Sequence, residues 1–111
     1  MTISGWLDAR RPAPPPALRS RIDLALAGSL EADECEAADA CLRAGERVVD
    51  ALLRDNATSR ESAIDLLAAD ALVTYAFEAA SERPAALSSL ASSAMSRIAA
   101  LGARVASSPS A

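Results

Sequence analysis

Carboxylates are the one reactive group this chain holds in quantity, and five of them crowd into a short run: Glu31, Asp33, Glu34, Glu36 and Asp39. Oxygen-rich clusters of this kind can hold a hard cation such as Ca²⁺ or Mg²⁺. No glycine turn spaces these residues as ligands, however, and acids at the start of a helix are accounted for by the positive end of its dipole. They read as capping charge, and no metal is expected. Further along, Asp65 and Asp70 interrupt an otherwise apolar helix. Five residues apart, they stand roughly 140° from one another on the helical wheel, so one faces solvent when the other enters an interhelical space. Asp70 is the more informative, because Thr74 lies one turn on, where the two can share hydrogen bonds. Asp70, Thr74 and Tyr75 are therefore the candidate ligand-binding groups, placed to orient an apolar molecule between helices.

Much other chemistry is excluded by what is missing. The chain has no histidine, the common general base, triad partner and metal ligand. It has no lysine for a Schiff base or a phosphate loop, and its four glycines are scattered. Cys35 and Cys41 are six residues apart, about 240° round a helix, so they can neither chelate one ion nor bridge without breaking it. Both read as small buried hydrophobes, with an intermolecular disulfide near the helix start as the minor functional option. The expectation is a protein without catalytic residues or cofactor.

The elements that position these residues are helical. Ala is the commonest residue at 28, Leu follows with 14, and aromatics make up 3% of the 111 residues. Ala and Leu head the helix propensity scale, and few β-branched residues are left for a sheet. The expected fold is all-α, a small antiparallel four-helix bundle with a short N-terminal arm. Residues 1–16 form the arm and a proline-rich connector, 17–105 the bundle, and 106–111 a disordered tail.

In the arm, Ser4 is placed to cap a short helical turn, and Trp6 docks on the bundle as a lid. Arg10 through Pro16 is extended, because each residue before a proline is pushed out of the α region. Pro12 and Pro15 form a bare PxxP, which reads as a stiff connector ahead of a helix, not an SH3-type ligand. The first long helix runs from about Pro15 to Ala27 and stops at Gly28 in the left-handed conformation. Asp33 with Glu36 makes a capping box for the second. In it Cys35, Ala38, Leu42, Gly45, Val49 and Leu52 recur as a heptad seam, small residues first, so a neighbouring helix can approach closely near Ala38 and Gly45.

Asn56 closes that helix, and Thr58 with Glu61 caps the third, Glu61–Glu82, which lies antiparallel to the second. This third helix carries Tyr75 and Phe77 and is apolar most of the way round, as a helix buried among neighbours must be. Arg83-Pro84 opens the fourth, with an apolar row at Leu87, Leu90, Ala94, Ile98 and Leu101, and Gly102 as its end. From Pro84 through Ser96 no residue is charged. The small-residue back of this helix reads as a second packing face. Leu87, Ser88, Ser92, Met95 and Ser96 are the candidate interface residues across a homodimer axis.

The run from Leu66 to Glu78, LLAADALVTYAFE, resembles a helix of the isoprenyl diphosphate synthases that reads roughly L-A-G-D-A-L-L-T-x-A-F-E, and the following helix loosely fits the next one of that family. The resemblance covers about thirteen residues closely and implies a helical pair whose interior can admit an apolar chain. It implies no catalytic role here. The two aspartate-rich Mg²⁺-diphosphate motifs of the family are absent, as are its lysines.

Charge is distributed unevenly. The net charge is −4, all eleven basic residues are Arg, and residues 83–111 carry three Arg and no acid. That balance argues against a general nucleic-acid or membrane binder. Without a leader-like segment or disulfide framework, the expected location is the cytoplasm. The function expected from all this is a non-enzymatic helical interaction or assembly module that self-associates, or alternatively a small binding protein for an apolar, prenyl-like ligand.

Overall fold

The computed structural model describes residues 1–55 and 59–106, with side chains described for all of these except 84–90 and 104–106. Among the described residues the chain forms five α-helices and no strand: α1 Ile3–Asp8, α2 Pro16–Ala25, α3 Ala37–Asp55, α4 Arg60–Ser81 and α5 Pro84–Ala106. A 3-10 turn at Glu34–Glu36 leads into α3. None of the described helices is long and apolar enough to cross a membrane.

α4 is the helix around which the others are arranged, touching α2, α3 and α5. It runs antiparallel to α3, since Gly45 meets Ala69, Leu72 and Val73, while Cys35 and Ala38 stand beside Ala79 and Ala80. The closeness of that crossing depends on Gly45. A Cβ there would sit 3.3 Å from Val73 Cγ2 and 3.5 Å from both the Ala69 carbonyl oxygen and Leu72 Cβ. Small residues on the facing side make this possible: Ala68, Ala69, Ala76, Ala79 and Ala80 are all buried, with Leu72 the one large side chain fully enclosed among them. The crossing expected at Gly45 is thus present, and α4 buries an alanine stripe in place of an all-round apolar surface. Leu66 and Leu67 are more than half exposed.

α3 presents different residues to its two neighbours. Ala44, Val48 and Leu52 face the side that α2 occupies, and Leu42, Gly45, Val49 and Leu53 face α5. This corrects the heptad seam. A helix packed on two sides has no single 3.5-residue stripe, and its fully enclosed positions are Ala37, Cys41 and Ala44. Cys35 is consequently exposed and only Cys41 is buried.

α1 is built into the core. Its N-terminus is capped by Thr2, whose hydroxyl accepts from the Gly5 N–H at 3.1 Å, not by Ser4. Backbone bonds from Ile3 to Ala32, from Ser4 to Leu30 and from Glu34 to Met1, each 2.9 Å, fasten the segment. Ile3, Trp6 and Leu7 are buried. The Trp6 indole N–H donates to Glu82 at 3.2 Å, its ring meets Tyr75 edge-on at 6.1 Å, and the Arg10 guanidinium lies 4.0 Å over it. Burying one tryptophan removes on the order of 200 Å² from water, a large share of what so alanine-rich a core can gain.

Helix ends differ from expectation where several polar groups compete. No glycine has positive φ, so Gly28 is not a left-handed stop. The chain leaves α2 through successive turn bonds, Ala27 to Leu24, Ser29 to Leu26 and Ala32 to Ser29. The Asp33 carboxylate caps through the Cys35 N–H at 2.8 Å, while the Glu36 N–H goes to the Asp33 backbone carbonyl and forms the 3-10 turn, so Asp33 caps without the reciprocal box expected with Glu36. Asn56 and Thr58 lie outside the described residues, and α4 is capped by Ser59, which accepts from the Ser62 N–H at 3.2 Å. α5 passes through Gly102 to Ala106.

Candidate functional site

Asp70, Thr74 and Tyr75 are brought close in sequence but not to one purpose. Asp70 and Thr74 are exposed, and the Thr74 hydroxyl donates at 2.9 Å to the Asp70 backbone carbonyl, the ordinary i−4 bond of a helical threonine. Tyr75 turns toward Trp6, where burial, and then the nearby Glu78 charge, raise its phenol pKa. The acidic run at 31–39 is equally dispersed. Asp33 caps Cys35, and Asp39 pairs with Arg43 at 2.7 Å and with Arg97 at 4.0 Å. Among the described residues no three His, Cys, Asp or Glu side chains are grouped as they would be around a metal ion.

The concave feature with a uniform chemistry lies between α3 and α5. The two helices leave a groove there of about 360 Å³, with Leu42, Val49 and Leu53 on one wall, Ala94, Ile98 and Leu101 on the other, and Val73 of α4 between them. Its surface is almost entirely carbon. The groove exists because α5 is held by two contacts at different depths. Ala94 and Leu101 are buried against the α3–α4 pair, whereas Ile98, one turn from each, is 61% exposed and Leu53 opposite is 48% exposed. At the rim, Arg97 donates to Glu46 at 2.9 Å and lies 4.0 Å from Asp39, which ties the only described cation of α5 to α3.

This geometry sorts the expected interface residues. Met95 is 70% exposed and, with Ser92 and Ser96, lies on the open surface of α5. Leu87 and Ser88 lie where side chains are outside the described residues. The apolar row expected to be buried is split, with Ala94 and Leu101 inside and Ile98 outside. Of the seam residues, Leu42 and Gly45 are buried and Val49 is half-buried, and all three also border the groove. Sequence reasoning missed the Arg97–Glu46 tie. The signal was present: Arg97 is the first charge after a thirteen-residue neutral run, and α3 offers acids at Asp39 and Glu46, seven residues apart on one face.

No family model, curated protein or solved structure matches this chain.

Proposed function

We propose that this chain is a non-enzymatic helical assembly module that pairs with a second copy of itself through the α3–α5 groove face. The observation that carries the reading is that one face holds both a hole and a ridge: the carbon-lined groove, and the exposed Met95 and Ile98 beside it. A two-fold interface brings the same patch of both subunits together, so a patch with both shapes is self-complementary. Charge does not oppose the contact, because Arg97 is balanced by Glu46 and Asp39 and the surrounding surface is Ser92, Ser96, Ala99 and Ala100. In this arrangement α3 and α5 of the two copies make a four-helix cluster, which supplies the closed bundle that one chain with α2 and α5 on separate sides of the α3–α4 pair does not complete. Two unbridged cysteines fit a reducing, cytoplasmic setting.

A second reading has its own support. A groove of about 360 Å³ falls at the small end of ligand sites, and carbon lining suits an apolar chain. Both readings use one surface and are separated by one titration. A farnesol-like prenyl alcohol added to the protein in a sedimentation experiment leaves a self-associated species intact if the groove is an interface, and saturates a monomer if the groove is a ligand site. A monomer that binds no alcohol would remove both.

A further inference from the structure

The side of α3 turned away from α4 carries a charge pattern that reads the same from either end with its signs exchanged. Asp39, Arg43, Asp50 and Arg54 recur at spacings of 4, 7 and 4, which keeps them within roughly 60° of one another on the helical wheel. Gly45, which meets α4, stands on the opposite side of α3. Within the chain the four form two couples of the same polarity, Asp39 with Arg43 at 2.7 Å and Asp50 with Arg54 at 3.5 Å. Asp39, Arg43 and Arg54 are more than half exposed, Asp50 less so. The remaining charges of α3 lie elsewhere. Glu46, midway between the couples, accepts from Arg97 of α5 at 2.9 Å, and Arg97 also lies 4.0 Å from Asp39. Arg47 donates to the Ala25 carbonyl on the α2 side, where Asp55 also stands.

We infer that in the self-associated protein α3 lies antiparallel against α3 of the second copy, the two-fold axis crossing between Glu46 and Arg47, so that Asp39 meets the partner's Arg54 and Arg43 meets the partner's Asp50. The inference rests on the pairing proposed above and adds the direction and register of the partner. A two-fold axis at that point sets residues equally distant from it opposite one another. Both couples then face couples of reversed order. Each acid touches an arginine of its own helix and one of the partner's, and four charges close a ring of alternating sign, twice per dimer. At the axis the two Glu46 carboxylates approach one another, each already neutralised by Arg97 of its own chain. The same charges oppose the alternatives, since complementarity across a contact fixes register and penalises like against like. Parallel α3 helices set acid on acid at Asp39 and Asp50, and arginine on arginine at Arg43 and Arg54. Laying α3 on the partner's α5 sets both couples against a helix that holds no acid.

The test reverses one couple at a time in the full chain. Asp39→Arg/Arg43→Asp exchanges the first couple and Asp50→Arg/Arg54→Asp the second. Each variant keeps the net charge and an ion pair between the same two positions, so its circular dichroism spectrum should match that of the unaltered chain. Sedimentation equilibrium is expected to show each variant alone associating about a hundredfold more weakly than the unaltered chain, the scale of four exposed pairs changed from attractive to repulsive. Mixing the two variants restores all four pairs, because a reversed couple faces a reversed couple on one side of the axis and an unaltered couple faces an unaltered one on the other. Native mass spectrometry of the mixture, with one variant isotope-labelled, should show the mixed dimer in excess over either self-paired dimer. The chain with all four substitutions should regain the unaltered constant. Association of either variant as tight as that of the unaltered chain, a mixture that pairs at random, or a mixture that stays monomeric would overturn the direction and register, while a dimeric unaltered chain would leave the pairing itself standing. An unaltered chain that is monomeric at every concentration would remove both.

Discussion

Replacing Ile98 by serine removes the ridge of the proposed interface while touching little of the single chain. Full burial of an isoleucine side chain is worth about 1.5–3 kcal/mol relative to leaving it in water. Ile98 is 61% exposed, so the part still to be covered corresponds to about 1–2 kcal/mol per copy. A two-fold axis counts it twice, giving about 2–4 kcal/mol per dimer, or a dissociation constant raised roughly 30-fold to 700-fold. Sedimentation equilibrium over a hundredfold range of concentration reads that change directly. Leu24→Ser is the matched control: the residue is as exposed, 69%, but stands on the α2 side, and its dimer constant should equal that of the unaltered chain. Equal association by the Ile98→Ser and unaltered chains would refute the argument that the α3–α5 face is the interface.

Gly45→Leu forces a four-carbon side chain into a crossing where a single Cβ already meets Val73 at 3.3 Å. It should lower stability by about 2–3 kcal/mol, read as a fall in the thermal midpoint. Trp6→Ala removes the buried ring together with the Glu82 and Arg10 contacts that depend on it, and should cost about 3–5 kcal/mol in urea unfolding. Burial pushes the Cys41 thiol up from its ordinary 9.0 to about 12. The folded state then holds a proton that the unfolded state has lost, so the stability present below pH 9 declines from there to pH 12, by up to about 4 kcal/mol. Chemical denaturation against pH should show this slope, and Cys41→Ala should flatten it to what Cys35, raised by its hydrogen bond with Asp33, and Tyr75, raised by burial, contribute. Cys35 should react with a thiol reagent in the native protein, and Cys41 only after unfolding.

The parts of the fold legible in the sequence are those set by a single dominant local force. Arg83-Pro84 ends α4 and begins α5 because proline tolerates only the first turn. Gly45 marks a close crossing because even a single Cβ there would press on Val73, and Trp6 docks because nothing else in the arm can bury as much surface. The failures lie where two forces compete. α3 is packed on both sides, so its apolar residues span two faces and a heptad template slips, leaving Cys35 exposed where it was expected inside while Cys41 is buried as expected. Thr58 and Ser59 offer the same capping chemistry one residue apart, and pattern alone does not rank them. Thr74 near Asp70 resembles a polar pair, yet a helical threonine satisfies itself on the i−4 carbonyl, a bond invisible to side-chain spacing. The open groove could not be read because it arises from the depth at which α5 sits. That depth is set jointly by Ala94, Leu101 and the Arg97–Glu46 pair.

Native mass spectrometry of the unaltered chain tests the central claim most directly, because it reports stoichiometry and any retained molecule together. The account predicts a species of two chains with no added mass, growing with concentration at the expense of one chain. A single chain at every concentration, bare or carrying an apolar molecule, would contradict it.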